Sequence, residues 1–326
     1  MSRAGFVAVM GRPNVGKSTL VNQMVGQKVA IVSNKPQTTR NRILAVLNPP
    51  GGQIVLFDTP GLHKPTHAMN RRMVDLAQKS LGQVDLALWV LDAREGYTPA
   101  ERHVRDLLGK TRLPVILVIN KIDALPKLQV LPLIDRCRSL LDFADIVPVS
   151  AKTGDNVDRL IEVVLGHLPE GPPLYPEEFL TDQPERFFVA EIVREKVLAR
   201  TRDEIPYSAG VLIDSFKEER GMVRIEASLF VERDGQKAIV IGKGGEMLKA
   251  IGTDARLEIE EFLGSKVFLG LFVKVRPNWR EDKGTLEEMG LLDRRRVELW
   301  IRARERVVVR LPLASGVALA RCPPSL

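Results

Sequence analysis

Cysteine is nearly absent: Cys137 and Cys322 are the only two in 326 residues. That excludes a disulfide framework. Their separation fits no metal-ligand spacing, so both read as reduced thiols of a cytosolic protein. Aromatic residues make up only 5% of the chain, which leaves any core to aliphatic side chains. No uninterrupted apolar run approaches the roughly 18 residues that a membrane span needs. No internal repeat and no low-complexity tract stands out. Met1 to Gly5 lead straight into a strand-like run, so no signal peptide is expected.

What is present is 44% hydrophobic and 27% charged, the composition of a soluble globular protein long enough for two domains. The net charge of +7 points at first to nucleic acid, but it is unevenly placed. Residues 293–326 hold eight arginines against Asp293, Glu298 and Glu305, which accounts for +5 of it. The main body is close to neutral, so local patches rather than net charge must define its partners.

The first half alternates strand-like runs (Phe6–Met10, Gln53–Phe57, Val84–Leu91, Pro114–Ile119, Ile146–Val149) with helical stretches. The helical stretches are Lys17–Val25, Asn70–Leu81, Ala100–Leu108, Leu128–Leu141 and Asp155–Leu168. This alternation predicts a mainly parallel α/β sheet with helices on both faces. Pro169, Pro172, Pro173 and Pro176 then interrupt the chain. The second half predicts a helix over Phe187–Arg200 and strands over Val211–Phe216 and Val223–Val231. A helix over Glu246–Phe262 and a strand over Val267–Val275 follow, which makes a small α+β domain. The expected organisation is 1–169, a linker at 170–184, a second domain over 185–292, and a basic extension over 293–326.

Gly11-Arg12-Pro13-Asn14-Val15-Gly16-Lys17-Ser18, followed by Thr19, fits the phosphate-loop pattern and lies between a strand and a helix. Glycines let backbone N–H groups turn onto phosphates, where the helix N-terminus adds positive potential. Lys17 supplies a charge to the β- and γ-phosphates, and the Ser18 hydroxyl can ligate Mg²⁺. Asp58-Thr59-Pro60-Gly61 follows a strand; there an aspartate can hold Mg²⁺ through water and a glycine N–H can meet a γ-phosphate. Asn120-Lys121-Ile122-Asp123 follows another. The Asp123 carboxylate can accept from N1–H and the 2-amino group of guanine, and adenine offers neither. A site left unpaired by the wrong base discriminates by roughly 10⁴ or more. Ser150-Ala151-Lys152 closes the set, with the Ala151 N–H in reach of guanine O6.

In this order the motifs resemble those of the Era branch of translation-factor-type GTPases, over about residues 1–168. That resemblance makes Pro36-Gln37-Thr38-Thr39-Arg40 the first switch. Thr39 is then the threonine that closes on Mg²⁺ and the γ-phosphate, with Thr38 the alternative register. Leu62 stands where Ras-like enzymes place a water-orienting glutamine, and no leucine can orient water. Similar GTPases have a hydrophobic residue there, and some use K⁺ held by an asparagine at the position of Asn14. The resemblance therefore implies slow intrinsic hydrolysis.

Ile241-Gly242-Lys243-Gly244-Gly245, with Lys249 on the following helix, carries the G-x-x-G loop of a KH domain. Such a loop sets N–H groups and a lysine against the phosphates of single-stranded RNA. Lys237 and Arg256 are further basic candidates. One helix and two strands ahead of the loop resemble the prokaryotic, type II order. With the first domain, this is similar to the Era-type ribosome-assembly GTPases, to about residue 292. The resemblance implies an α/β P-loop GTPase domain followed by an α+β type II KH domain. It implies GTP and GDP as ligands, the 3′ region of 16S ribosomal RNA and the 30S subunit as partners, and a monomer. It also implies a cytoplasmic location, with peripheral contact at the inner face of the cell membrane. Two other readings stand beside it: an RNA-binding scaffold that holds GTP only as a structural ligand, and a membrane-associated GTPase acting through the basic extension.

Overall fold

The computed structural model describes residues 2–35, 38–62, 68–219, 221–289 and 291. The basic extension over 293–326 lies outside them. The chain forms two compact units whose principal division falls between Gln183 and Pro184.

The first unit is built on six strands: β1 (Arg3–Met10), β2 (Ile43–Leu47), β3 (Gly52–Asp58), β4 (Leu86–Asp92), β5 (Val115–Asn120) and β6 (Asp145–Pro148). Their order is β2-β3-β1-β4-β5-β6, and every pair is parallel except β2 with β3. Every residue of β4 and β5 is buried, as a sheet covered on both faces requires. One side of the strands, with Val7, Val9, Ile54, Leu88 and Val118, packs on helices α1 (Lys17–Val25) and α5 (Val157–His167). On the other side Trp89 meets Tyr97 and Phe143. Helices α2 (Ala68–Leu81), α3 (Arg102–Leu108) and α4 (Val130–Cys137) complete the unit.

Strand β2 has no counterpart in the sequence reading. Its five residues are all buried, so they show no alternation, and only pairing with β3 identifies them as an edge strand. Helix α4 is shorter than the Leu128–Leu141 expectation at both ends: a 3₁₀ turn at Lys127–Gln129 precedes it, and it stops at Cys137. Residues 169–183 run along the first unit. The N–H groups of Leu174 and Tyr175 donate to Gln53 Oε1 at 2.7 and 2.8 Å. Val46 N donates to Leu180 O at 2.8 Å, and Thr181 Oγ1 donates to Leu44 O at 2.7 Å. The proline-rich stretch thus satisfies the outer edge of β2, which would otherwise present unpaired backbone groups.

The second unit runs α6 (Glu185–Arg200), α7 (Ile205–Ser208), β7 (Gly210–Glu219), β8 (Met222–Val231), α8 (Asp234–Ile241), α9 (Glu246–Leu263), β9 (Lys266–Val275) and α10 (Lys283–Glu288). Its sheet has the order β7-β8-β9, antiparallel then parallel. Residues from alternate strand positions (Val223, Ile225, Ala227, Val267) meet Val189, Val193, Ile251 and Ala255 of α6 and α9 in one core. Trp279 is fully buried, and its indole N–H donates to Ser208 O at 2.8 Å.

Candidate functional site

Parallel strands end on the same side, so the loops after β1, β3, β5 and β6 converge at one edge of the sheet. Residues 11–18, 58–62, 120–123 and 150–152 meet there, although up to about 140 residues separate them in sequence.

The loop from Gly11 to Gly16 depends on backbone geometry that side chains resist. Gly16 has φ +96°, and a Cβ there would stand 2.3 Å from Asn120 Nδ2. Asn14 also adopts positive φ, at 66°. Lys17 is buried, and its ammonium donates to Gly11 O at 3.1 Å and Arg12 O at 2.8 Å. Burial, opposed by Asp58 and Glu101, lowers its pKa to about 8. Gly61 lies against the same loop, since a Cβ would meet Pro13 N at 2.6 Å. Leu62 is 2% exposed, and its N–H donates to Gly11 O at 3.1 Å. Thr59 is buried with its hydroxyl donating to Val9 O at 2.7 Å, a bond that fixes the turn into Pro60.

Ser18 Oγ lies 2.7 Å from Asp58 Oδ2, to which it donates, and 2.7 Å from Thr39 Oγ1. Thr39 Oγ1 is 3.3 Å from the same carboxylate oxygen. Thr38 is differently engaged, donating to Lys35 O at 2.7 Å; of the two registers, the geometry therefore joins Thr39 to the cluster. Asp58 Oδ1 is buried with no hydrogen-bond partner among the described residues. Burial raises the Asp58 pKa against hydrogen bonds from Ser18 and Thr39 and the charge of Lys17. An orphaned carboxylate oxygen beside two hydroxyls is an all-oxygen donor set that fits a small hard cation such as Mg²⁺.

Asn120 acts as a bracket between loops. Its Nδ2 donates to Val15 O at 2.9 Å, and its Oδ1 accepts from Lys121 N at 2.8 Å and Ala151 N at 2.9 Å. The Ala151 N–H is thus already engaged, and contact with a base oxygen would require it to be shared or to shift. Asp123 is exposed, and its Oδ1 accepts from Ser150 Oγ at 2.7 Å. Ile122 N donates to Val149 O at 3.2 Å. Lys121 donates to Asn14 O and to Asp92 Oδ2. Burial opposes the charge on Asp92, but hydrogen bonds from Arg94 and Lys121 outweigh it and hold the pKa at about 2. Lys152 is exposed.

The Arg12 side chain turns to acidic partners rather than to open solvent, with Nε 2.5 Å from Glu101 Oε1 and Nη2 2.5 Å from Glu95 Oε2. Glu101 is fully buried and also accepts from Trp89 Nε1 at 3.3 Å. Nothing local to either residue signals this pairing across 89 positions of the chain. A cleft lined by Pro13, Asn14, Lys17, Ser18, Thr19 and Gly61 on one side is closed by Ile31, Val32, Ser33, Thr38 and Thr39 on the other. Ile31 and Val32 escaped the sequence reading because an apolar pair ahead of a polar loop looks like ordinary core; Val32 is nevertheless 40% exposed.

In the second unit, Gly242, Gly244 and Gly245 all have positive φ, at 75°, 60° and 83°. A Cβ on Gly242 would meet Met247 Cβ at 2.7 Å, so this turn accepts no side chain there. Lys243 and Lys249 are exposed and Ile241 half-buried. Gly245, Leu248, Lys249, Gly252, Thr253 and Arg256 line an open groove of about 400 Å³, with Leu269 and Leu271 behind. Arg256 belongs to it, while pairing with Glu260 at 2.9 Å; Lys237 does not line it.

A phosphate-loop site on a parallel sheet, joined in one chain to a helix-loop-helix groove with a G-x-x-G turn, defines a GTPase with a KH domain. Family comparison agrees: the family described as 50S ribosome-binding GTPase matches residues 6–121, and the KH domain family matches residues 204–280. The chain is 51% identical to the GTPase Era of Geobacter metallireducens over 88% of its own length and 97% of that protein's. It is 48% identical to the GTPase Era of Heliobacterium modesticaldum over the same shares. Among solved structures, Era in complex with MgGDPNP and nucleotides 1506–1542 of 16S ribosomal RNA superposes with a TM-score of 0.87 at 43% identity. That match covers 89% of this chain and 99% of that one. An Aquifex aeolicus Era variant bound to GDP·AlF4⁻ gives 0.86 at 44% identity, with the same coverage. The chain belongs to the GTPase Era family.

Proposed function

We propose that this chain hydrolyses GTP to GDP and phosphate, and that it couples its nucleotide state to binding of 16S ribosomal RNA by the KH domain during small-subunit assembly. The observation that carries the reading is the joined cluster of Ser18, Thr39 and Asp58 with its orphaned Oδ1. A purely structural nucleotide site has no use for a threonine from a distant loop at the cation position.

In this reading Gly11 to Thr19 wrap the phosphates, with backbone N–H groups and Lys17 as donors. Ser18, Thr39 and Asp58 would hold Mg²⁺, which would supply positive charge to offset the charge developing on the phosphate oxygens. Asn120 to Asp123 and Ser150 to Lys152 hold the guanine. Thr59, Pro60 and Gly61 bring a backbone N–H toward the γ-phosphate. A water oxygen attacks the γ-phosphorus while the bond to the β–γ bridging oxygen breaks. Leu62 is buried and apolar, so no side chain there orients that water and intrinsic turnover is slow. Asn14 is the residue that would hold a K⁺ ion: its Nδ2 donates to Asn34 O at 2.9 Å, which leaves Oδ1 as the acceptor for a cation. In the KH unit Ile241 to Gly245 and Lys249 receive single-stranded RNA.

Single-turnover hydrolysis with Mg²⁺ tests the reading. Phosphate release that is lost in Asp58→Asn and in Thr39→Ala, with guanine nucleotide still bound, is expected. Hydrolysis unchanged in both variants would overturn it. The K⁺ element predicts faster turnover in K⁺ than in Na⁺ buffer, with the difference abolished in Asn14→Ala.

A further inference from the structure

The KH unit has a second face. Helices α6, α8 and α9 cover one side of the sheet, where Val223, Ile225, Val267, Leu269 and Leu271 point. The alternate positions form the opposite, open side. There Phe268 and Phe272 are 44% and 53% exposed, in a chain poor in aromatics. Gly270 sits between them on β9, and a Cβ built on it would meet Phe272 Cε2 at 3.6 Å, and Phe268 Cε1 and Glu226 Cγ each at 3.7 Å. Both rings therefore lean over a glycine floor. Arg224, paired with Phe268 in register, holds its guanidinium 4.5 Å from that ring's centroid.

The surroundings indicate what fits. Met222 is the other exposed large apolar side chain of this face, so the wide apolar centre typical of a protein interface is missing. Instead four long, exposed cations share this face by strand register: Lys217 and Arg224 in the row of Phe268, Lys266 in the row of Met222, and Lys274 beyond Phe272 on β9. Of the acidic groups opposing them, Glu226 lies 3.6 Å from Arg224 and Asp214 lies 3.7 Å from Lys274; Glu219 stands in the row of Met222 and Lys266. Exposed rings give planar bases a sequence-tolerant stacking surface, and flanking cations track the phosphates.

We propose that Phe268 and Phe272, over Gly270, stack an unpaired base of single-stranded RNA on the open face of the KH sheet. This site lies on the side of the sheet opposite the Gly242–Gly245 groove. The inference rests on the reading of this unit as RNA-binding. Replacing the exposed rings touches no part of the core, and the tyrosine variants preserve stacking.

The test measures affinity of the full chain for two RNAs. One is a short single strand of about four nucleotides, enough for the groove alone. The other has the sequence of nucleotides 1506–1542 of 16S ribosomal RNA, as bound by the related Era. Phe268→Ala with Phe272→Ala should weaken the longer RNA about tenfold or more per stacked base and leave the short one unchanged. Phe268→Tyr with Phe272→Tyr should restore affinity, and 4-thiouridine in the longer RNA should crosslink to the peptide spanning Lys266–Lys274. Equal affinity of the alanine variant and the parent for the longer RNA overturns the inference while leaving the groove reading intact. So does an equal loss for both RNAs, which would mark a disturbed groove. So does lost binding to ribosomal subunits with RNA affinity unchanged, which would mark a protein contact. If the parent binds neither RNA, the RNA reading itself falls and this inference with it.

Discussion

Asp123 and Lys17 carry the most specific chemistry of the chain, and each makes a prediction. Asp123 can accept two hydrogen bonds from guanine, and its Oδ1 is steadied by Ser150 Oγ at 2.7 Å. In Asp123→Asn an amide donor replaces one acceptor. GTP affinity should then fall by roughly 10³ or more, while xanthosine triphosphate, with a carbonyl in place of the 2-amino group, should gain; competitive binding measures both. Lys17 makes pH predictions of opposite sign. Its folded pKa of about 8 lies below the ordinary 10.5, so the unfolded chain binds more protons between these values. The burial penalty is full below about pH 8 and fades toward 10.5, and the nucleotide-free protein should gain stability across that window. Triphosphate binding needs the charged amine, so affinity should be flat below pH 8 and fall above it, by up to tenfold per unit. Calorimetry should detect proton uptake on binding near pH 8 and above, and no uptake at pH 6.

At the scale of elements, strand β2 and the segment that fastens it are the clearest example of local structure decided by packing. Gln53 is 1% exposed. Its amide donates to Asn48 Oδ1 and Tyr175 O at 2.8 and 2.9 Å, while its oxygen accepts from Leu174 and Tyr175. Gln53→Ala strips partners from these groups, some of which water can reach. A loss of about 1–3 kcal/mol in urea unfolding is expected, together with new proteolytic cleavage between 171 and 180. The groove of the KH unit depends on its turn in the same way. Gly242→Ala, forced into contact with Met247 at φ 75°, should weaken RNA binding without affecting nucleotide affinity.

For the whole molecule, the proposed coupling between nucleotide and RNA would be a free energy shared by two sites, and so would have to be reciprocal. If the GTP state favours RNA, RNA must raise affinity for a non-hydrolysable GTP analogue over GDP by the same factor, expected to be roughly 5- to 150-fold. Titrating RNA against each nucleotide state, and each nucleotide against RNA-bound protein, closes the cycle. Equal RNA affinity in both states would leave two activities on one chain with no switch between them. Among the described residues no helix is long and apolar enough to cross a membrane.

The amino-acid sequence by itself determined the catalytic vocabulary. The spacing of Gly11, Gly16, Lys17 and Ser18, the Asn120 to Asp123 run and the Gly242 to Gly245 turn are legible because each places its chemistry within a few consecutive residues, on loops whose flanking strands and helices announce themselves by apolar pattern. The tertiary structure decided what distance in sequence conceals. It joined Thr39 rather than Thr38 to Ser18 and Asp58, because only the folded chain sets which of two adjacent hydroxyls reaches the carboxylate. It paired Arg12 with a fully buried Glu101, and it engaged the Ala151 N–H with Asn120. It also made an edge strand of Ile43–Leu47, a run too short and too uniformly apolar to declare a period. Local rules fix loops and caps through backbone sterics; partners across the sheet are chosen by burial, which no short stretch of sequence can express.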